Sequence, residues 1–303
     1  MTAVAAPTMA RNATESSPAR GGGQLGRAWR RLGRNPLSRV GAMIIAGLIL
    51  VSLFAPVLAP HDPRFVNLLD QLRPPSSAHP FGTDSAGMDI LSRVLYGGRL
   101  ALASGLIILL LSTLTGSLLG LLAGYFGGRT DETIMRITDV FLAFPGLILA
   151  MAVVAGVQQR SLVVLVVAIA LRWWAPYARI MRAQTMAVSA LEFAQAALAS
   201  GASPRRVLFR HILPNTISPI VVQATLDLGY VILTAASLSF IGFGVPPGEP
   251  EWGRMIADGR QHMRTAWWVI TFPGVAILLT VLGFNLLGDG IRDVLDPRMQ
   301  GAA

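Results

Sequence analysis

Six long apolar runs organise this chain, at residues 40–60, 100–125, 134–157, 161–181, 216–242 and 266–288. Each holds about 20 or more mostly apolar residues, enough to cross roughly 30 Å of hydrocarbon as a helix. The pattern predicts an all-α membrane protein with six transmembrane helices. Residues 1–36 show no apolar periodicity and are rich in Ala, Gly, Ser and Arg. They read as a flexible tail whose end, with Arg27, Arg30, Arg31 and Arg34, is a candidate interfacial helix. A cleaved signal peptide does not fit, because the first apolar run is too long and no small-x-small site closes it. The expected organisation is a tail over 1–36, a first span with its following loop over 37–99, a five-span core over 100–290, and a C-terminal tail over 291–303.

The polar segment between the fourth and fifth runs has its own internal order. Residues 192–215 read EFAQAALASGASPRRVLFRHILPN. Helix formers run from Glu192 to Ala199, and Gly201 then permits a turn because it lacks a Cβ. Ser203 and Pro204 suit an N-cap and a first helical turn. A second helix would carry Arg205, Arg206, Arg210 and His211 until Pro214 stops it. Helix, glycine turn, helix at a membrane surface suits a docking element. The plainer alternative is an amphipathic connector held on lipid head groups by its arginines.

Composition narrows the function. Only 14% of the 303 residues are charged and more than half are apolar. Cysteine is absent, which removes disulfides and thiolate–metal sites. All 25 basic residues are arginine. A phosphate-binding loop of the G-x-x-x-x-G-K-[ST] kind needs a lysine, so this chain carries no such site, and ATP-driven work would fall to a partner. The net charge of +9 does not argue for nucleic acid, since the arginines cluster beside apolar spans and not in a stripe with aromatics. They argue for orientation. Arg27, Arg30, Arg31, Arg34 and Arg39 precede the first span; placing them inside puts both termini and the 182–215 segment in the cytoplasm. The loops 61–99 and 243–265 then lie outside.

The 192–215 segment resembles the signature loop of binding-protein-dependent ABC importer permeases. Four further collinear blocks resemble the second-subunit type of dipeptide and oligopeptide permease: HPFGTDSAGMDILSRVLYGGRL from His79, ITDVFLAFPGL from Ile137, AASLSFIGFGVPPGEPEWGRMI from Ala235 and NLLGDGIRDVLDP from Asn285. Together they span most of residues 37–298. The resemblance implies the type I importer permease fold, in the inner membrane. It implies a heterodimer with a second permease subunit and two ATP-binding subunits holding ATP and magnesium. An extracytoplasmic substrate-binding protein would deliver di- or oligopeptides. Nickel chelates and glutathione are alternative cargoes, and an ion-gradient secondary transporter is an alternative class. Two departures stand out. Gln195-Ala196-Ala197 replaces the usual Glu-Ala-Ala, and Met88 stands where arginine is usual.

The coupling candidates are therefore Gln195, Ala196, Ala197, Gly201, Ser203, Arg205, Arg206, Arg210 and His211. Asp139, Arg172 and Asp227 fall within apolar runs, where an ionisable group facing lipid costs at least about 2.5 kcal/mol. They are candidates for a polar translocation path, or for ion pairs that hold the bundle together. In the 243–265 loop, Pro246, Pro250, Glu251, Trp252 and Gly253 are candidates for a ledge that meets the delivering protein and the gate, or for a plug at the bundle mouth. Pro145, Pro176 and Pro273 lie inside apolar runs and are expected to kink helices. His61, His79, His211 and His262 are scattered without ligand spacing, so the sequence predicts no metal site. It also shows no catalytic constellation within one element.

Overall fold

The computed structural model describes residues 35–295. The tail arginines Arg27 to Arg34 and the C-terminal tail from residue 296 lie outside the described residues. Among the described residues, five helices are long and apolar enough to span a membrane: Pro36–Leu53, Ile90–Phe126, Leu162–Ser189, Pro204–Ile241 and Trp268–Leu295. The third predicted span, 134–157, is not one helix. Gly128–Ala143 and Gly146–Val157 meet at 91°. At 1.5 Å per residue they are about 24 and 18 Å long, each too short to cross alone. The break lies where the chemistry demands it. Phe144 precedes a proline and takes an extended conformation, and Pro145 has no N–H to continue a ladder. Pro176 and Pro273, by contrast, sit inside continuous helices.

Several helices outrun the apolar pattern. The second begins at Ile90, ten residues before the expected start, because Asp89 caps it through Ser92 N–H. The helix from Leu162 continues to Ser189, and the next starts at Pro204 rather than near residue 216. A span is bounded by lipid, but its helix ends where a cap is supplied.

Small residues set the packing between the two most closely joined helices, Ile90–Phe126 and Leu162–Ser189. Gly116, Gly120 and Gly124 recur every fourth residue. A Cβ at these positions would lie 2.3, 2.2 and 2.6 Å from the backbone oxygens of Trp174, Ala178 and Arg182. Such close backbone approach is how membrane helices associate without a hydrophobic driving force. Buried apolar clusters fill the two ends and the middle of the bundle. One cluster runs from Ile90, Trp252 and Trp268 at the end where Ile90 starts to Ile45 and Phe284 deeper in the bundle, and Leu121, Tyr177, Met181, Val207 and Ile212 form another toward the other end. Leu106, Ile107, Leu110 and Leu114 remain exposed on the outer face of the second long helix, as lipid contact requires.

Candidate functional site

The 192–215 segment folds as an elbow at one end of the bundle. Helix Glu192–Ala199 ends in a paired closure: Ala202 N–H donates to the Ala197 carbonyl and Gly201 N–H to that of Leu198. This is the six-to-one, five-to-two arrangement that requires a left-handed residue, and Gly201 supplies it at φ +78°. Ser203 Oγ accepts from Arg206 N–H at 3.4 Å, and Pro204 occupies the first turn. Pro214 does not stop the second helix, contrary to the expectation from its ring. The chain widens into a π-helical stretch over Val207–Ile212 and runs on without interruption to Ile241. Leu213 N–H reaches back five residues to Leu208. The wider turn gives the pyrrolidine room that a regular turn would deny it. Asn215 Nδ2 takes up the His211 carbonyl at 2.6 Å.

The elbow is anchored on one side and open on the other. Val207, Leu208 and Ile212 are buried against Tyr177 and Met181, and Ala194 is buried as well. Arg205, Arg206 and Arg210 are exposed and form no ion pair among the described residues. Phe193 and Leu198 are exposed beside them. Ala196 is exposed, and Ala197 is half-buried, as is His211. Gln195 has a specific use that its departure from Glu did not disclose: Nε2 donates to the Ser189 carbonyl at 2.7 Å and closes the end of the preceding helix. A carboxylate has no proton to donate there.

Two of the three intramembrane charges meet in one place. Arg172 and Asp227 line a cavity of about 350 Å³ with Gly146, Trp173, Pro176 and Gln223, beside the right-angled break. They form no ion pair with each other. Asp227 accepts from Tyr177 OH at 2.7 Å and from Gln223 Nε2 at 2.9 Å, one donor per oxygen. Arg172 Nε is buried with no hydrogen-bond partner. Asp139 is elsewhere, paired with Arg179 at 2.6 Å and half-exposed.

At the opposite end, residues 243–265 fold as a packed ledge. Of its five candidates only Pro246 is on the surface; Pro250, Glu251, Trp252 and Gly253 are buried. Glu251 caps helix Trp252–Gly259 by accepting from Gly253 and Arg254 N–H at 3.0 and 2.8 Å, while burial pushes its carboxyl above the usual range. Trp252 Nε1 donates to the Val94 carbonyl at 3.0 Å, and its ring fills the space beside Gly97. The centre of this end is Arg93, 1% exposed, which sequence reasoning counted only as one more charge. It donates to the carbonyls of Pro63, Gly248 and Glu249 and so ties two distant loops together. Its Nε lies 3.5 Å from Asp84, whose carboxyl burial also pushes up. The scattered histidines are not all apart: His61 and His79 stack with ring centroids 4.6 Å apart, beside Asp89.

Membrane-crossing helices, a polar cavity within them and an exposed basic elbow define an integral membrane permease. The family model described as binding-protein-dependent transport system inner membrane component matches residues 116–301. A second, described as the N-terminal TM domain of oligopeptide transport permease C, matches residues 23–75. The chain belongs to the family of inner-membrane components of binding-protein-dependent transport systems. It is 46% identical over 267 residues to the probable D,D-dipeptide transport system permease protein DdpC of Escherichia coli, covering 88% of this chain and 89% of that protein. It is 44% identical over 273 residues to the dipeptide transport system permease protein DppC of Alkalihalophilus pseudofirmus, covering 90% of each. Against the glutathione transport system permease protein GsiD of Pectobacterium atrosepticum the identity is 45% over 273 residues, again with 90% of each chain covered.

Proposed function

We propose that this chain is one of two permease subunits of an ATP-driven importer that passes di- or oligopeptides across the cytoplasmic membrane. The observation that carries the reading is the elbow: a short exposed helix joined through a rigid glycine closure to a helix that runs unbroken from Pro204 to Ile241. Two ATP-binding partner subunits, holding ATP and magnesium, press on the helix Glu192–Ala199. Arg205, Arg206 and Arg210 meet acidic groups on them. Because the elbow is continuous with a spanning helix, the push becomes rigid-body rocking of the bundle. The cavity with Arg172 and Asp227 offers both signs of charge, which suits the two ends of a zwitterionic peptide. A substrate-binding protein delivers cargo at the end formed by residues 59–89 and 243–265, which faces outward, with both termini in the cytoplasm. The dipeptide assignments of two relatives support peptide cargo.

The test is ATPase stimulation in the reconstituted complex. Nothing lies within 4 Å of a Cβ at Gly201, so the bulk of Gly201→Trp meets none of this chain's own atoms, while the φ of +78° strains the glycine closure itself. We expect the variant to insert and assemble yet lose stimulation by cargo-loaded binding protein. Normal stimulation would overturn the role of the elbow.

A further inference from the structure

We infer that His61, His79 and Asp89 form a binding site for one divalent metal ion of the zinc class. One ligand atom from each lies within 4.8 Å of the other two. His79 Nδ1 is 3.0 Å from Asp89 Oδ1, and His61 Nδ1 is 3.8 Å from the same oxygen. Ligands bound to zinc at about 2.0–2.1 Å in a tetrahedron stand roughly 3.4 Å apart, between these two values. Drawing the widest pair, within 4.8 Å, onto that spacing takes a shift of up to about 1.4 Å, which a turn of the partly exposed His61 ring supplies.

The surroundings favour a metal over a simple hydrogen-bonded pin. Asp89 is 2% exposed, and its two oxygens are divided by task. Oδ2 accepts from Ser92 N–H at 2.8 Å and Ser92 OH at 2.7 Å, which fixes the carboxylate and leaves Oδ1 facing the histidines. Outer hydrogen bonds that orient a ligand in this way are characteristic of built metal sites. No arginine neutralises the carboxylate: the nearby Arg93 spends its Nη donors on carbonyls and Met88 Sδ, and its Nε faces Asp84. A hydrogen bond from His79 accounts for one ring only. At 3.8 Å the His61 ring is beyond hydrogen-bonding reach, and no hydrogen bond to it occurs among the described residues. It is nonetheless stacked on His79. A shared cation gives both rings a reason to converge on one oxygen. Asp89 is buried and His61 is partly exposed, so the fourth position opens to solvent and suits a water. The ion would staple the loop after the first span to the start of the helix Ile90–Phe126, next to the Arg93 tie.

The measurement is metal content of the assembled transporter, purified without a histidine tag, stripped with a chelator and dialysed against Zn²⁺. The wild-type complex is expected to hold one zinc more per copy of this chain than a complex carrying His61→Gln with His79→Gln. Co²⁺ in the same site should give the visible absorption of four-coordinate cobalt, absent from the double variant. His61→Gln alone changes a partly exposed side chain and should assemble; it is expected to weaken zinc binding about tenfold or more. Asp89→Asn preserves the helix cap and should likewise lose the metal. Equal zinc content and affinity in the wild type and His61→Gln would overturn the site.

Discussion

At the scale of single residues, two substitutions separate what a side chain touches from what it is. Gln195 is exposed, yet it holds the Ser189 carbonyl. Gln195→Glu, the change toward the usual family residue, is expected to lose this bond at a cost of up to about 1 kcal/mol, read as a small fall in Tm. Asp227 is more demanding, because both of its oxygens accept hydrogen bonds. Asn in its place keeps its oxygen on Gln223 Nε2 and turns its NH₂ to the lone pairs of Tyr177 OH, but both bonds lose their charge assistance. Asp227→Asn should therefore cost about 1 kcal/mol by thermal unfolding, despite its similar shape. The sequence marked Asp227 and Arg172 as unusual because charge in an apolar run is unusual. It could not say that they share a cavity without pairing. The exchange Arg172→Asp with Asp227→Arg is expected to leave transport impaired, measured as peptide uptake by reconstituted complex. Recovery to wild-type uptake would mean that the two charges form a structural pair.

At the scale of elements, spacing and continuity matter more than identity. The glycines at 116, 120 and 124 let two helices touch backbone to backbone. Gly120→Val would place its Cβ 2.2 Å from the Ala178 carbonyl, so the helices must separate. We expect loss of folded protein, or several kcal/mol where it survives, by Tm and by yield of monodisperse complex. Arg93 acts between elements. Arg93→Met keeps an apolar stem but strands the carbonyls of Pro63, Gly248 and Glu249. The expected cost is on the order of 3 kcal/mol, with faster proteolysis in residues 243–251. Local chemistry was legible for the elbow: the helix over 192–199, the turn at Gly201 and the Ser203-Pro204 start all follow from rules about caps. Pro214 was misread because the rule that proline ends a helix assumes a regular turn before it. The π-helical stretch removes that premise, and its cause is tertiary, since Val207, Leu208 and Ile212 are held in the core around it.

At the scale of the whole molecule, the two ends of the bundle differ in kind. One end presents a basic elbow with exposed Phe193 and Leu198; the other is closed by buried ties through Arg93, Glu251 and Trp252. Four of the five ledge candidates, Pro250, Glu251, Trp252 and Gly253, are buried and stiffen the ledge, while Pro246 lies on its surface.

Hydropathy determined the all-α membrane class and the approximate positions of the spans, and cap chemistry the existence of the elbow. These follow from constraints that act locally: lipid excludes unpaired backbone groups, and caps are built from near neighbours. The absence of lysine likewise removed a lysine-bearing phosphate loop from this chain. Only the tertiary structure decided that the third run breaks at 91°, that Arg172 and Asp227 line one cavity, and that Arg93 reaches a carbonyl 155 residues further along the chain. It alone brought His61 and His79 to one carboxylate oxygen. These are encounters between residues far apart in the chain. No periodicity records them, because they depend on which helices pack together and at what angle.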